Sequence, residues 1–297
     1  MQKVVGSSPI IRFKRKPETP TELTAILRLG RRARLTDRCR RFGGLTVLIA
    51  LVCVSSGCGT SSESSSSAST STASRTWSIV ALGDSVPSGY KCHCRPYPQL
   101  SADGLTATTG QTVTATNDAV AGYTTSNVLR QLQSDSAVID QVSKAAAVEI
   151  NVGANDIPYN TNSCGASVDC YAPLVPSVQK NLAAIGSRVR ELTSGHKVLV
   201  VLLDYWSIWL GGTYAREQGH AYVNAARQIT AEVDAAIKTA ATESGSAYLS
   251  ERRAFKGPSF GYIESHYLAA DGEHPNAAGH QAIATTTETV IEKTLHI

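Results

Sequence analysis

Five short apolar segments alternate with amphipathic, helix-like segments between residues 76 and 297. The clearest, residues 197–203, is a nearly unbroken run of Val and Leu, as expected of a strand buried on both faces of a sheet. The other predicted strands span residues 77–82, 112–116, 147–152 and 246–249. Because strands that alternate with helices form parallel sheets with covered faces, the pattern predicts an α/β fold: a three-layer α/β/α sandwich around a mainly parallel sheet of about five strands.

Helical periodicity predicts helices over residues 126–144, 178–192, 214–244 and 277–293. In parallel α/β sheets, sites form at the edge where the carboxyl ends of the strands lie. The loops that begin at Gly83, Asn117, Gly153 and Asp204 are therefore predicted to share this edge, which we call the rim. With no internal repeat in this part of the sequence, residues 76–297 are predicted to form one domain.

Residues 1–58 differ in charge from the rest of the chain. They hold 12 Lys and Arg against 3 Asp and Glu, whereas residues 59–297 hold 16 against 21. An acidic body argues against a nucleic-acid-binding protein. No apolar run in the sequence, residues 45–54 included, reaches the roughly 18 to 20 residues that a membrane-spanning helix needs, so a polytopic membrane protein is excluded.

Residues 1–58 are interpreted as an N-terminal extension with a secretory signal, because basic residues precede the apolar run and small residues follow it. The sequence ending at Cys58 resembles the lipobox of bacterial lipoproteins, which implies lipidation of Cys58; signal cleavage without a lipid is the alternative. Residues 1–37 are long for such a leader, and a translation start downstream of Met1 would explain them. The Ser-rich residues 59–75 are predicted to be a flexible linker.

Four sequence blocks lie after predicted strands or before the last predicted helix. They are residues 83–85 (GDS), 117–122 (NDAVAG), 153–156 (GAND) and 271–276 (DGEHPN). In this order they resemble the blocks of the GDSL, or SGNH, hydrolase family of esterases and lipases, and the likeness spans residues 77–295. The first block continues as GDSV rather than GDSL. The resemblance implies a flavodoxin-like SGNH hydrolase fold and an exported serine esterase.

Ester cleavage requires a nucleophile, a base, a group that orients the base, and donors for the oxyanion. The resemblance, together with the chemistry of these side chains, assigns Ser85 as nucleophile, His274 as base and Asp271 as the orienting carboxylate. The oxyanion hole would use the backbone N–H groups of Ser85 and Gly122 and the side-chain amide of Asn155. This scheme needs no cofactor and no metal.

Several residues near these blocks have structural alternatives. Ser85 could instead cap a helix, and Asp84 and Asp156 are predicted to anchor their turns. Three aromatic residues follow the fourth predicted strand, where they would either line a substrate pocket or pack at the edge of the sheet: Tyr205, Trp206 and Trp209.

Four of the seven cysteines lie in the predicted domain: Cys92, Cys94, Cys164 and Cys170. An even number in an exported chain favours disulfides, and the spacing C-x-C followed by C-x5-C differs from that of usual zinc sites. Of the three possible pairings, we prefer the two local ones, 92 with 94 and 164 with 170, although a C-x-C ring is strained.

The sequence thus predicts a serine esterase that acts on a small-molecule, lipid or carbohydrate ester. Carbohydrate O-deacetylase, lipase and thioesterase activities remain alternatives, as does a non-catalytic surface lipoprotein that uses the fold to bind a ligand. The expected location is the outer face of the cytoplasmic membrane, or the medium after secretion. The only expected membrane contact is the lipid anchor, no nucleic-acid partner is expected, and a monomer is favoured.

Overall fold

The carboxyl ends of five parallel strands lie along one edge of a sheet in the computed structural model, which describes residues 76–261 and 263–297. The strands are β1 (Thr76–Gly83), β2 (Thr112–Asn117), β3 (Ala147–Asn151), β4 (Leu199–Leu203) and β5 (Ala247–Leu249). Their order is β2-β1-β3-β4-β5, and every neighbouring pair is parallel. The chain order reverses between β1 and β3, which is where ligands bind in sheets of this order.

Ten helices connect or flank these strands in the described residues. They are α1 (Ser85–Ser88), α2 (Tyr97–Thr109), α3 (Thr125–Ser134), α4 (Ser136–Ser143), α5 (Val168–Tyr171), α6 (Val175–Leu192), α7 (Gly212–Glu217), α8 (His220–Glu243), α9 (Glu251–Lys256) and α10 (Ala277–Leu295). Helices α2 and α10 pack together on one side of the sheet, and α6 packs between α3 and α8 on the other. The predicted three-layer α/β/α sandwich is confirmed.

The central strands are buried throughout their length. Every residue of β3 and of β4 is buried, which explains why residues 199–203 read as a continuous apolar run. The register pairs Gly83 of β1 with Asn151 of β3, so these two strands end side by side at the rim. The loops after them therefore start from adjacent points.

Two predicted helices are each divided in the structure. The segment 126–144 breaks at Asp135, whose extended backbone ends α3 and whose side chain caps α4 by accepting from the N–H groups of Ala137 and Val138. The segment 214–244 breaks at Gly219, which has a φ of +86° that favours glycine. Both predictions were wrong because apolar spacing continues across a local break.

Helix α2 has no counterpart among the helices predicted from apolar spacing. The helix is poor in strongly apolar residues, but Tyr97, Ala102 and Leu105 are buried on its inner face. Helix α2 packs against α10, and Gly104 of α2 lies beside the Glu288 carboxylate of α10.

The predicted signal (residues 1–58), the lipidation site Cys58 and the linker (residues 59–75) lie outside the described residues. Within the described part of the chain, no helix has both the length and the apolar character needed to cross a membrane.

Strand β3 carries a carboxylate in the middle of the core. Glu149 has no exposed surface, and neither of its side-chain oxygens has a hydrogen-bond partner among the described residues. Burial, with a smaller contribution from the charge of Glu288, raises the pKa of Glu149 to about 8. Glu149 is therefore held as a neutral acid at neutral pH.

We expect the free energy of unfolding of Glu149→Gln to increase, relative to that of wild type, as the pH rises. Between its unfolded pKa of 4.5 and its folded pKa of about 8, wild-type Glu149 binds a proton only when folded, so stability falls with rising pH. Denaturant unfolding should show the advantage of the variant growing by about 2 kcal/mol from pH 6 to pH 8. An advantage that does not vary with pH would contradict the assignment.

Candidate active site

Ser85 lies at the tight turn between β1 and α1. A Cβ at Gly83 would overlap the carbonyl oxygen of Asn151, so this turn requires glycine, whose φ is +148°. Asp84, not Ser85, caps α1, because the Asp84 side chain accepts from the Val86 N–H at 3.1 Å. The Ser85 side chain is half-buried, and its hydroxyl makes no hydrogen bond to any described residue. The capping alternative for Ser85 is therefore wrong.

The buried Asp84 is held by Tyr205, the residue two beyond β4. The Tyr205 hydroxyl donates to Asp84 Oδ2 at 2.5 Å, and both residues are about 1 % exposed. Burial raises the pKa of Asp84 to about 7, while the bonds from Tyr205 and Val86 and the nearby His274 act in the opposite direction. Tyr205 therefore lies behind the Ser85 turn and supports it.

His274 and Asp271 form a hydrogen-bonded pair within one loop. His274 Nδ1 lies 2.7 Å from Asp271 Oδ2, and Asp271 Oδ1 accepts from the N–H groups of Glu273 and His274 at 3.0 and 3.1 Å. Partial burial raises the pKa of Asp271, but the bonds from His274 and the backbone outweigh it and leave the pKa lowered. Asp271 thus remains ionised and holds the imidazole through Nδ1. The other ring nitrogen, Nε2, is left without this contact.

The loop that carries His274 lies against the segment that follows Ser85. The rings of Tyr90 and His274 meet edge to face with centroids 5.1 Å apart, and the Tyr90 N–H donates to the Ser85 carbonyl at 3.1 Å. The charge of His274 also lowers the pKa of Asp84. Neither the Ser85 hydroxyl nor His274 Nε2 is hydrogen-bonded within the described part of the chain, so the structure contains no direct Ser85–His274 bond.

Asn155 and Gly122 lie on two further loops of the rim that contact each other. Asn155 follows β3 in a short 3-10 turn, and its Nδ2 donates to the Tyr123 carbonyl at 2.9 Å. Gly122 has a φ of +86°, and the space beside its Cα is open. The Val120 N–H donates to the Gly83 carbonyl at 3.0 Å, which ties the Gly122 loop to the end of β1.

Asp156 anchors its turn. Its carboxylate accepts from the backbone N–H and the hydroxyl of Thr125, at 2.9 and 2.6 Å. The bonds connect the loop after β3 with the start of α3. Both oxygens of Asp156 are thereby engaged away from the reacting residues.

The three aromatic residues after β4 take different positions. Trp209 lines a cleft of about 340 Å³ together with Asn155 and Glu273. Trp206 stacks on Phe255 at a centroid distance of 4.3 Å and borders another cleft of about 240 Å³. Tyr205 supports Asp84 and borders neither cleft. The two alternatives that the sequence allowed, lining a pocket and packing, therefore apply to different members of this group of three.

Four cysteines form two local disulfides, Cys92 with Cys94 and Cys164 with Cys170. The sulfur atoms of the first pair lie within 4.8 Å of a nitrogen of His280, which raises the metal alternative again. His280 Nδ1, however, accepts from the Tyr97 N–H at 3.2 Å, and burial lowers the pKa of His280 to about 4. The neutral ring therefore carries its proton on Nε2, which leaves no free lone pair for a metal.

Sequence reasoning missed two contributors to the site, Tyr90 and Glu273. Nothing in the sequence marks Tyr90, because its contact with His274 joins segments 184 residues apart. Glu273 could have been found, since it stands between Asp271 and His274. Burial and, less strongly, the charge of Asp271 raise the pKa of Glu273 above its usual value, against the opposing charge of His274. The Glu273 carboxylate lies 3.8 Å from His274 Nδ1.

The model of the GDSL-like Lipase/Acylhydrolase family matches residues 81–282. Among solved structures, the lipase Lip_vut3 from a goat rumen metagenome is 21 % identical, with 72 % of this chain and 96 % of that chain covered and a TM-score of 0.53. A catalytic mutant of Axe2, an acetylxylan esterase from Geobacillus stearothermophilus, is 16 % identical, with 72 % and 94 % covered and a TM-score of 0.53. These likenesses show the fold. No curated protein matches the chain.

We expect Tyr205→Phe to destabilise the protein more at pH 8.5 than at pH 5.5. Losing the hydroxyl raises the folded pKa of Asp84 further above its unfolded value of 3.8, so stability falls more steeply as the pH rises through about 7. Denaturant unfolding should give a cost of about 1 kcal/mol at the lower pH and about 2 kcal/mol or more at the higher pH.

The control for this experiment is Tyr222→Phe. The Tyr222 hydroxyl donates to the backbone carbonyl of Leu210 at 3.0 Å, an acceptor that does not titrate. Its loss should cost the same at both pH values. If Tyr205→Phe behaved in the same way, the proposed support of an ionising Asp84 would be wrong.

Proposed function

The chain belongs to the GDSL-like lipase/acylhydrolase family, whose general activity is ester hydrolysis, and on that premise we propose that it is a serine esterase that forms an acyl-enzyme on Ser85. His274 is the general base and Asp271 is its orienting group. The observation that carries the proposal is the 2.7 Å contact of Asp271 with His274 Nδ1, in a loop whose imidazole meets the segment following Ser85. That contact leaves Nε2 for the nucleophile.

In the acylation step, the Ser85 hydroxyl attacks the ester carbonyl carbon while His274 Nε2 takes its proton. The tetrahedral intermediate collapses, and the imidazolium returns that proton to the departing alkoxide. Water then attacks the acyl-enzyme in the same way, which releases the carboxylic acid and restores Ser85. Asp271, held ionised by its hydrogen bonds, stabilises the imidazolium in both steps.

The absence of a Ser85–His274 hydrogen bond among the described residues is compatible with this mechanism. Such bonds are often long or poorly aligned without substrate and tighten when the substrate binds. The segments that carry Ser85 and His274 are already connected through Tyr90.

The backbone N–H groups of Ser85 and Gly122 and the side-chain amide of Asn155 would hold the oxyanion. An amide nitrogen has two N–H donors, and Asn155 uses one of them on the Tyr123 carbonyl. This bond orients the side chain and leaves the second donor for substrate. The open space at Gly122 lets a carbonyl oxygen approach its backbone.

A non-catalytic ligand-binding lipoprotein is the competing function. All the reactive groups that an esterase requires are present, and a binding module would not need Asp271 to fix the tautomer of His274. Among esterases, lipase, thioesterase and carbohydrate O-deacetylase activities are distinguished by a panel of esters of graded acyl length, thioesters and acetylated sugars.

We further propose that the enzyme acts outside the cytoplasm, either tethered through a lipid on Cys58 or secreted. Support comes from the signal-like segment before Cys58 and from the two disulfides, which persist in oxidising compartments. Metabolic labelling with a fatty acid, compared between wild type and Cys58→Ser, distinguishes the tethered form from the secreted form.

We expect Ser85→Ala to abolish hydrolysis of p-nitrophenyl acetate, with a loss in kcat of at least about 10⁴-fold, and to abolish labelling by a fluorophosphonate. Ser88→Ala is the matched control, since Ser88 also lies on α1 but its hydroxyl donates to the Ser85 carbonyl. That variant should be labelled. Full activity of Ser85→Ala would remove Ser85 from the mechanism.

We expect Asn155→Ala to lower kcat by about 10²-fold, because one oxyanion donor is lost. Asn162→Ala, which truncates an exposed asparagine in the same loop region, should leave kcat near the wild-type value. Melting temperatures of both variants verify folding. A loss smaller than about threefold in Asn155→Ala would refute the oxyanion role.

A further inference from the structure

Beside Asn155 lies the cleft of about 340 Å³ that Trp209 and Glu273 also line, and which we call the aromatic cleft. Four aromatic side chains line it: Tyr159, Trp209, Tyr214 and Tyr222. Because Asn155 borders the same space, a molecule whose carbonyl oxygen reaches Asn155 would place its remaining atoms against these rings.

The rings of the aromatic cleft hold one another in place. Tyr159 meets both Trp209 and Tyr222 edge to face at centroid distances of 4.8 Å, and Tyr214 meets Tyr222 at 5.9 Å. Trp209 Nε1 donates to the Ile157 carbonyl and the Tyr222 hydroxyl to the Leu210 carbonyl, so their polar atoms are satisfied by backbone. Trp209 and Tyr222 are deeply buried, whereas Tyr159 and Tyr214 are half-buried and offer the more open ring surface.

One charged residue, Glu273, lines the aromatic cleft, and no Lys or Arg is among its described lining residues. Its side chain is 37 % exposed, and its carboxylate makes no hydrogen bond within the described residues. The nearest polar contact, His274 Nδ1 at 3.8 Å, is already taken by Asp271 at 2.7 Å. The Glu273 carboxylate thus has no hydrogen-bond partner among the described residues, and a bound cation would favour its ionised form.

We propose that the aromatic cleft binds a positively charged alkylammonium group carried by the ester substrate, a preference that rests on the esterase function proposed above. Ring faces attract a cation within about 6 Å of the ring centroid, and the Glu273 carboxylate complements its charge. A purely apolar acyl chain in the same place would instead desolvate Glu273 without a partner. Glu273 and Tyr159 therefore determine specificity, and neither takes part in bond breaking.

Acetylcholine and its neutral isostere 3,3-dimethylbutyl acetate, in which carbon replaces the quaternary nitrogen, test this proposal. The two esters have almost the same shape and the same scissile bond, so their ratio of kcat/KM reports the charge alone. We expect wild type to favour acetylcholine by about tenfold or more. Because both esters are measured on the same sample, the ratio does not depend on the fraction of protein that is folded.

Glu273→Gln should lower that ratio by about tenfold, and Tyr159→Leu by about three- to tenfold. The matched control is Glu217→Gln, which removes the same charge from an exposed position at the end of α7 and should keep the wild-type ratio. Tetramethylammonium chloride should inhibit hydrolysis of the neutral ester competitively in wild type and more weakly in Glu273→Gln.

The outcomes separate the two proposals. If wild type hydrolyses both esters with a ratio near one, or if Glu273→Gln keeps the wild-type ratio, the cationic subsite is overturned while the esterase function stands. If wild type hydrolyses neither these esters nor p-nitrophenyl acetate and resists the fluorophosphonate, the esterase function fails, and the subsite fails with it.

Discussion

The parallel pairing of β1 with β3 brings the turn after one strand against the loop after the other. Gly83 stands opposite Asn151, and the Asp84 N–H donates to the Asn151 carbonyl at 3.1 Å. This backbone bond brings the Ser85 turn and the Asn155 loop, 70 residues apart in the chain, to one point of the rim. The site occurs there because the strand order reverses between these two strands, which opens a crevice at their carboxyl ends.

The core beneath the rim contains several buried acidic groups. Asp84, Glu149 and Glu251 are nearly or fully buried, and burial raises the pKa of each. Nearby, Arg252 pairs with Asp234 at 3.0 Å. Buried acidic groups are unfavourable unless they are neutral or partnered, so this region has a stability that depends on pH and on donors such as Tyr205.

The contact of Asp271 with His274 and the placement of His274 relative to Ser85 depend on different kinds of interaction. The Asp271–His274 pair is local, since three residues separate its members and one loop supplies all three bonds to the Asp271 carboxylate. The relation of His274 to Ser85 depends instead on the sheet, on α10 and on the Tyr90 contact. A pair formed within one loop depends on the local backbone, whereas the placement of His274 beside the Ser85 segment depends on the packing of the whole domain.

The strand–helix alternation was enough to predict the parallel five-stranded sheet, and the four blocks were enough to predict the family, because periodicity and short motifs are properties of the chain. The same blocks supply the candidate residues Ser85, Asn155, Asp271 and His274, whose roles stay predictions. The divisions at Asp135 and Gly219 and the helix α2 were not predictable from apolar spacing, since a cap, a positive φ and a contact with α10 produce them.

The three aromatic residues after β4 show most clearly what could not be predicted from the sequence. Their spacing in the chain is the same whether they line a cleft or support a turn, and only the packed neighbours distinguish these roles: Asp84 for Tyr205, Phe255 for Trp206 and Tyr159 for Trp209. The aromatic cleft and the position of Glu273 in its wall likewise arise from segments that meet only after folding, because burial and contact depend on the arrangement of all the layers.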